Sequence, residues 1–169
     1  MAFGGFVQVE YVNPFISSLL DVLETMAQVK ASPGKPRVKE ADTCDGDVTG
    51  FIHMTGENVE CTLAISFSES AMKHIASKML GEEVKELDND VIDLAGEITN
   101  MVTGGAKKVL WQSGFNFDLS QPTFEKGSDY KPPHLADCKV IAIDFNTDEG
   151  SFSIEASMKD TRQRAELRE

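Results

Sequence analysis

Two short connections constrain this chain more than anything else in it. Residues 48–55 and 59–67 are rich in Val, Ile, Thr and Phe and are separated only by Gly56-Glu57-Asn58. Strand-like runs this close together, bounded by a glycine-bearing turn, read as an antiparallel hairpin. Residues 139–145 and 151–158 repeat the arrangement across 146–150. Helical patterns lie before and between these pairs. Strands that arrive as hairpins with helices inserted between them build an antiparallel sheet covered by helices, whereas a doubly wound parallel sheet needs regular strand–helix alternation. The expected class is α+β, with a single domain over 1–158 and a highly charged tail at 159–169.

The remaining elements follow from local signals. Residues 6–12 alternate apolar and polar side chains and read as a short strand. Asn13-Pro14 then opens a helix, with Asn as N-cap and Pro at its first position, and Phe15, Leu19, Leu20, Leu23, Met26 and Ala27 carry helical spacing to about residue 29. Residues 30–39, with Ser32-Pro33-Gly34-Lys35-Pro36, read as a loop. Ser68 caps a helix that runs through Leu80 and closes at Gly81. An acidic loop at 82–90 precedes a long helical pattern at 91–113, with Gly114 as its terminator. The stretch around Pro122 and residues 127–137 show no periodicity and read as irregular.

Charge excludes several kinds of partner. The chain has 28 Asp and Glu against 16 Lys and Arg, a net charge of −12. Phosphate affinity comes from clustered Lys and Arg, so nucleic acid is not expected, and docking on anionic lipid is disfavoured for the same reason. No run approaches the roughly 20 apolar residues of a membrane span, so no membrane insertion is expected. The first dozen residues lack a basic start followed by an apolar core, so no secretory leader is expected either, and the location is taken as cytoplasmic. Cys44, Cys61 and Cys138 and the three histidines are scattered without metal-ligand spacing, so the chain is expected to hold no metal or cofactor of its own.

The long helix at 91–113 carries the functional information. At about 100° per residue, Val91, Leu94, Ile98, Met101, Val102 and Val109 share one side, the core face. Asp93, Glu97, Asn100 and Gly104 form a second stripe about 120° away, which Lys107 continues. Glycine inside a helix costs about 1 kcal/mol relative to alanine, yet Gly96, Gly104 and Gly105 all lie here. Two readings of Gly96 and Gly104 stay open: another chain approaches this face closely, or one or more of the glycines packs under a neighbouring helix. The amide of Asn100 is a poor base but can hold a water in fixed orientation, and Glu97 one turn earlier can pair with a partner's lysine. Such a pair suits a bond that is already labile, such as an acyl phosphate, where positioning supplies most of the catalysis. With no magnesium site of its own, the chain would meet both metal and phosphoryl group on its partner. A second Glu-x-x-Asn, at Glu86 and Asn89, falls in the acidic loop, where Asn89 reads as the cap of the following helix.

Asp93-x-x-x-Glu97-x-x-Asn100 followed by Met101-Val102-Thr103-Gly104-Gly105-Ala106 resembles the signature helix of the CheC/CheX/FliY phosphatases of bacterial chemotaxis. Asn13-Pro14-Phe15 leading into Leu23-Glu24-Thr25-Met26 is similar to the first helix of the CheX branch, and the likeness extends over residues 12–158. The resemblance implies a mostly antiparallel sheet with two long helices on one face plus a shorter helix, and hydrolysis of the aspartyl phosphate of a CheY-like response regulator. It implies that Glu97 pairs with the regulator's lysine, that Asn100 orients the attacking water and that Asp93 supports them; the close-approach reading of the glycines puts Gly96 and Gly104 at the same contact. It further implies Mg2+ on the regulator and a homodimer formed through the sheet. CheC-type members carry a second copy of the motif in the first long helix; residues 14–29 contain no Asn, so a single site is expected. Two alternatives remain: a non-catalytic regulator-binding or flagellar-switch-like module, and a hydrolase using the carboxylate pair Asp93 and Glu97. The amide at the water position favours the first reading over a docking module, and an exposed helix lacks the enclosed pocket that the carboxylate pair would need.

Overall fold

In the computed structural model, which describes residues 9–57 and 59–160, both expected hairpins form. Strands β3 (Val48–Thr55) and β4 (Val59–Phe67) pair from Val48↔Phe67 to Thr55↔Glu60. Strands β7 (Val140–Thr147) and β8 (Gly150–Asp160) form the other hairpin. The two join where β4 runs antiparallel to β8, from Val59↔Asp160 to Phe67↔Phe152, so these become the central strands. Every ladder among the described residues is antiparallel.

Strand alternation decides which face takes the helices. Val48, Ile52 and Met54 of β3, Leu63, Ile65 and Phe67 of β4, and their partners on β7 and β8 belong to one apolar cluster. Helix α1 (Val9–Ala27) contributes Val12, Phe15, Leu19 and Leu23 to that cluster, and helix α3 (Asn89–Gln112) contributes Val91, Ala95, Ile98, Val102, Ala106 and Leu110. The shorter α2 (Glu69–Leu80) is capped at Ser68, whose Oγ accepts from Ala71 N at 3.2 Å, and ends at Gly81 with φ 70°. Helix α3 is capped by Asp88, whose Oδ1 accepts from Val91 N at 3.0 Å. Both long helices thus cover one face of the sheet, as the class requires.

The other face is polar yet closed. Glu155 of β8 is almost wholly buried and accepts from Lys39 Nζ at 2.9 Å, with Asp45 3.3 Å from the same ammonium. His134 lies with Nδ1 2.7 Å from the Thr62 hydroxyl and Nε2 3.4 Å from Glu155, and that hydroxyl also meets Ser157. Backbone bonds from Cys44 N to Tyr130 O and from Gly127 N to Asp47 O tie the two covering segments together. Outside this cluster, Arg37 bonds both Asp144 and Asp45, and these carboxylates raise its already high pKa further.

Several expectations required correction. Residues 9–12 form the first turn of α1 rather than the end of a strand, and residues 6–8 lie outside the described region. Val12 is 1% exposed and extends the Phe15–Leu19–Leu23 stripe, so packing draws this turn into the helix and leaves Pro14 inside it. Asn89 is the first residue of α3, with Asp88 taking the cap. The segment read as a loop at 30–39 contains β1 (Ser32–Pro33) and β2 (Arg37–Lys39), both paired with β7. The stretch around Pro122 contains β5 (Asp118–Leu119) and β6 (Thr123–Lys126), both paired with β3. Strands this short are below the reach of periodicity, and pairing with a formed neighbour makes them. Met26 and Val109, each expected to pack inward, are both 48% exposed. At Val109 the inward positions go to Ala106 and Leu110, and the chain turns back through Gly114 so that Phe115 N reaches Leu110 O at 2.9 Å.

None of the three cysteines is in a disulfide. Cys61 is buried in the core and burial pushes its thiol pKa well up, while Cys44 is buried with its thiol directed at Gly46 O and Gly127 O. Cys138 is half-buried. The thiolate is the reacting form, so alkylation of native protein followed by peptide mass mapping should modify Cys138 first, with Cys44 and Cys61 protected until the fold is opened by denaturant. Early modification of Cys61 would contradict this packing.

Candidate active site

Helix α3 presents the stripe seen in the sequence. Asp93, Glu97 and Asn100 are exposed, and Gly104 and Lys107 are half-buried. At about 1.5 Å per residue the stripe from Asp93 to Lys107 extends roughly 21 Å along the helix. Among the described residues the side chains of Glu97 and Asn100 have no hydrogen-bond or ion-pair partner of their own chain. Their backbone is nonetheless firmly placed: Thr99 Oγ1 donates to Ala95 O at 2.8 Å, and Thr103 Oγ1 lies 3.0 Å from both Thr99 O and Asn100 O. A carboxylate and an amide, one turn apart and unpartnered on a rigid support, are free to engage groups brought by another molecule.

The two readings of the helix glycines divide between them. A Cβ at Gly96 would stand 2.7 Å from Phe124 Cδ1, and one at Gly105 would collide with Ser18 Oγ. These two pack beneath neighbours: Gly105 lies under helix α1, while Gly96 lies under a strand, β6, rather than a helix, and is not open to a partner. A Cβ at Gly104 would meet nothing within 4 Å. Only Gly104, one turn beyond Asn100, leaves helix backbone open on the exposed side.

Phe124 was not anticipated, because β6 was not. It pairs across the ladder with Gly50 and remains 39% exposed, so an aromatic edge borders the stripe beside Gly96. The carboxylates Asp93 and Glu97 lie on a convex helix surface, which does not suit acid–base work on an enclosed substrate. Among the described residues no group of three or more His, Cys, Asp or Glu is placed to hold a metal ion, and no helix is long and apolar enough to cross a membrane.

Comparison with known proteins places the sequence and the fold. The sequence model of the family "Chemotaxis phosphatase CheX" matches residues 48–146. The chain belongs to the CheX family. The CheY-P phosphatase CheX of Thermotoga maritima is 28% identical over 149 residues, 88% of this chain and 95% of that protein. The crystal structure of the chemotaxis protein CheX from Vibrio vulnificus superposes with a TM-score of 0.83 at 41% identity, over 89% of this chain and 99% of that one. A CheX in complex with CheY, BeF3 and Mg2+ from Borrelia burgdorferi gives 0.75 at 23% identity, over 90% of this chain and 100% of that one, and supports the fold.

One premise of the single-site expectation changes. Because α1 starts at Val9, it includes Asn13, and Glu10 precedes that residue by three positions. Glu-x-x-Asn spacing therefore occurs in α1 as well. The rest of the pattern is missing there: Ser17 stands where α3 has the open Gly104, and Phe6 stands where α3 has Asp93.

The glycines can be tested by stability. Gly104→Ala adds a methyl to open space and gains up to ~1 kcal/mol of helix propensity, so Tm should rise by about 2–4 °C. Gly96→Ala gains the same propensity but displaces Phe124, and overpacking of about 1–3 kcal/mol should lower Tm. Thermal denaturation of both variants checks this; equal shifts would contradict it.

Proposed function

We propose that this chain hydrolyses the aspartyl phosphate of a CheY-like response regulator, with Glu97 and Asn100 as the working pair. The observation that carries the proposal is that pair itself, exposed and unpartnered one turn apart, with the open backbone of Gly104 one turn further on. Family membership supplies the reaction class, and the Thermotoga relative is named for the same activity.

The chemistry asks little of the protein. Water attacks phosphorus in line, the bond from phosphorus to the regulator's aspartate breaks, and aspartate leaves as a carboxylate with inorganic phosphate as co-product. The Asn100 amide can accept from that water through Oδ1 and hold it in line. The Glu97 carboxylate pairs with the regulator's lysine and so sets how the helix seats. Mg2+ on the regulator neutralises the developing phosphoryl charge; this chain contributes no metal ligand to the step. Asp93 reinforces the acidic end of the stripe. The site works in the cytoplasm, where such regulators operate.

Phosphate release from a panel of phosphorylated CheY-like receivers tests the proposal. Asn100→Ala should slow release about 100-fold or more with receiver binding retained, while Glu97→Lys should weaken binding itself, because like charges meet. Gly104→Ala should be slower than wild type although it is more stable. If no receiver loses phosphate faster with wild type, or if Asn100→Ala loses nothing, the catalytic reading fails. Retention of about half the activity in Asn100→Ala would assign the remainder to Asn13.

Self-association through the sheet belongs to the same proposal and is supported by the family likeness. Val38 on β2 is 42% exposed and is a side chain such a contact would cover. Sedimentation equilibrium at micromolar concentration should give twice the chain mass of 18.5 kDa; a single species at that mass would overturn it.

A further inference from the structure

The exposed stripe of α3 does not stop at Lys107. Continuing by four residues, it reaches Trp111, so Asp93, Glu97, Asn100, Gly104, Lys107 and Trp111 follow one another at intervals of four, three, four, three and four. Trp111 is 60% exposed, although an indole is among the largest apolar payloads a chain can bury. It is the only tryptophan in the chain. Among the described residues no packing position requires it there: the inward positions of this turn belong to Ala106 and Leu110.

We propose that the receiver-docking surface runs along α3 as far as Trp111, and that Trp111 anchors the receiver in a shallow apolar depression about three helical turns from the phosphate. This rests on the function proposed above and adds to it a binding residue outside the catalytic motif. Distance supports one continuous footprint. Asn100 and Trp111 are eleven residues apart, or roughly 16 Å of helix, and a standard interface of about 800 Å2 per partner is a disc of about that radius. A disc centred between the two residues falls between Gly104 and Lys107, and at Gly104 open backbone admits close approach. Tryptophan is also the residue type most enriched among side chains that dominate binding energy.

Charge gives the footprint a direction. The stripe is acidic at Asp93 and Glu97, whereas Lys107 lies on it and the exposed Lys108 borders it near the tryptophan end. A receiver laid along the helix in the reverse sense would place its lysine beside these ammonium groups, and like-charge juxtaposition suppresses wrong arrangements. Trp111 and the lysines therefore hold the receiver in the orientation that presents its phosphate to Asn100. The occupant is the receiver domain, because the apolar anchor and the catalytic pair share one straight helix face.

Because the tryptophan is unique, incorporation of 5-fluorotryptophan gives a single 19F resonance at the proposed contact. The wild-type chain would be titrated with the CheY-like receiver it dephosphorylates fastest, loaded with beryllofluoride and Mg2+, while calorimetry follows binding independently. The expected result is a shifted 19F resonance that saturates with the calorimetric isotherm. Trp111→Ala should raise Kd and KM about tenfold or more with kcat within about twofold, and Trp111→Phe should recover part of that loss, the reverse of the pattern expected for Asn100→Ala. Unchanged thermal denaturation would show that Trp111→Ala stays folded. Binding and hydrolysis with an unmoved resonance, or with Kd unchanged in Trp111→Ala, would overturn this inference alone. A wild-type chain that neither binds nor dephosphorylates any receiver would overturn it together with the proposed function.

Discussion

The rotation of α3 about its own axis is the constraint on which the site depends, and absent side-chain atoms set it. Beneath the helix, a Cβ on Gly50 of β3 would stand 2.8 Å from the carbonyl oxygen of Ala95, so the helix backbone rests directly on the sheet. On one flank Gly96 receives the ring of Phe124, and on the other Gly105 receives Ser18 of α1. A turn of the helix by even one residue's 100° would drive a Cβ into a backbone or a neighbouring side chain at one of these points. Glu97, Asn100 and Gly104 point outward because the other arrangements are blocked. An amide that must hold one water in line needs a support that does not roll, since small misplacements cost large factors in rate.

Support from the far side of the sheet follows the opposite principle. There the packing is polar, and burial of Lys39 is tolerated because Glu155 and Asp45 face its ammonium, while His134 bonds Thr62 through Nδ1 and stands 3.4 Å from Glu155. Removing one member would strand a buried charge, a loss far larger than the net worth of the pair. The result is an asymmetric layer, with an apolar face that seats both long helices and a polar face closed by loops. Helix α3 takes its position from the first face, and the second closes the opposite side of the strands beneath it.

How much of this could be read in the sequence depended on the length over which each signal was averaged. The long helix and both hairpins were legible because alternation or helical spacing ran for many residues, and the exposed stripe followed from arithmetic on one helix. That Glu97 and Asn100 share this exposed stripe was legible for the same reason. The first turn of α1 was not, since alternation over residues 6–12 imitates a strand and only the burial of Val12 reveals the helix. The short strands β1, β2, β5 and β6 exist through pairing with β7 and β3, information that local sequence does not hold. The glycines show the limit most clearly. Gly96 and Gly104 look equivalent by position, yet one is covered by an aromatic ring from a strand 28 residues away in sequence and the other is open.

The acidic balance of the chain takes a different meaning in this light. A surplus of −12 would repel a partner's acidic phosphorylation site if it were spread evenly over the docking face. On α3 it is not: the stripe passes from carboxylates at Asp93 and Glu97 through a neutral amide and an open glycine to the ammonium of Lys107. In the proposed reaction the helix offers the phosphoryl group Asn100, which carries no charge and would add no repulsion to the attack of water on an anion. The nearest carboxylate, Glu97, is useful only if a cation meets it, and a receiver's active-site lysine is such a cation. On the proposed function the face is therefore selective as well as attractive: a partner with acidic groups opposite Glu97 would lose binding, and one with a lysine there would bring its phosphate to the amide.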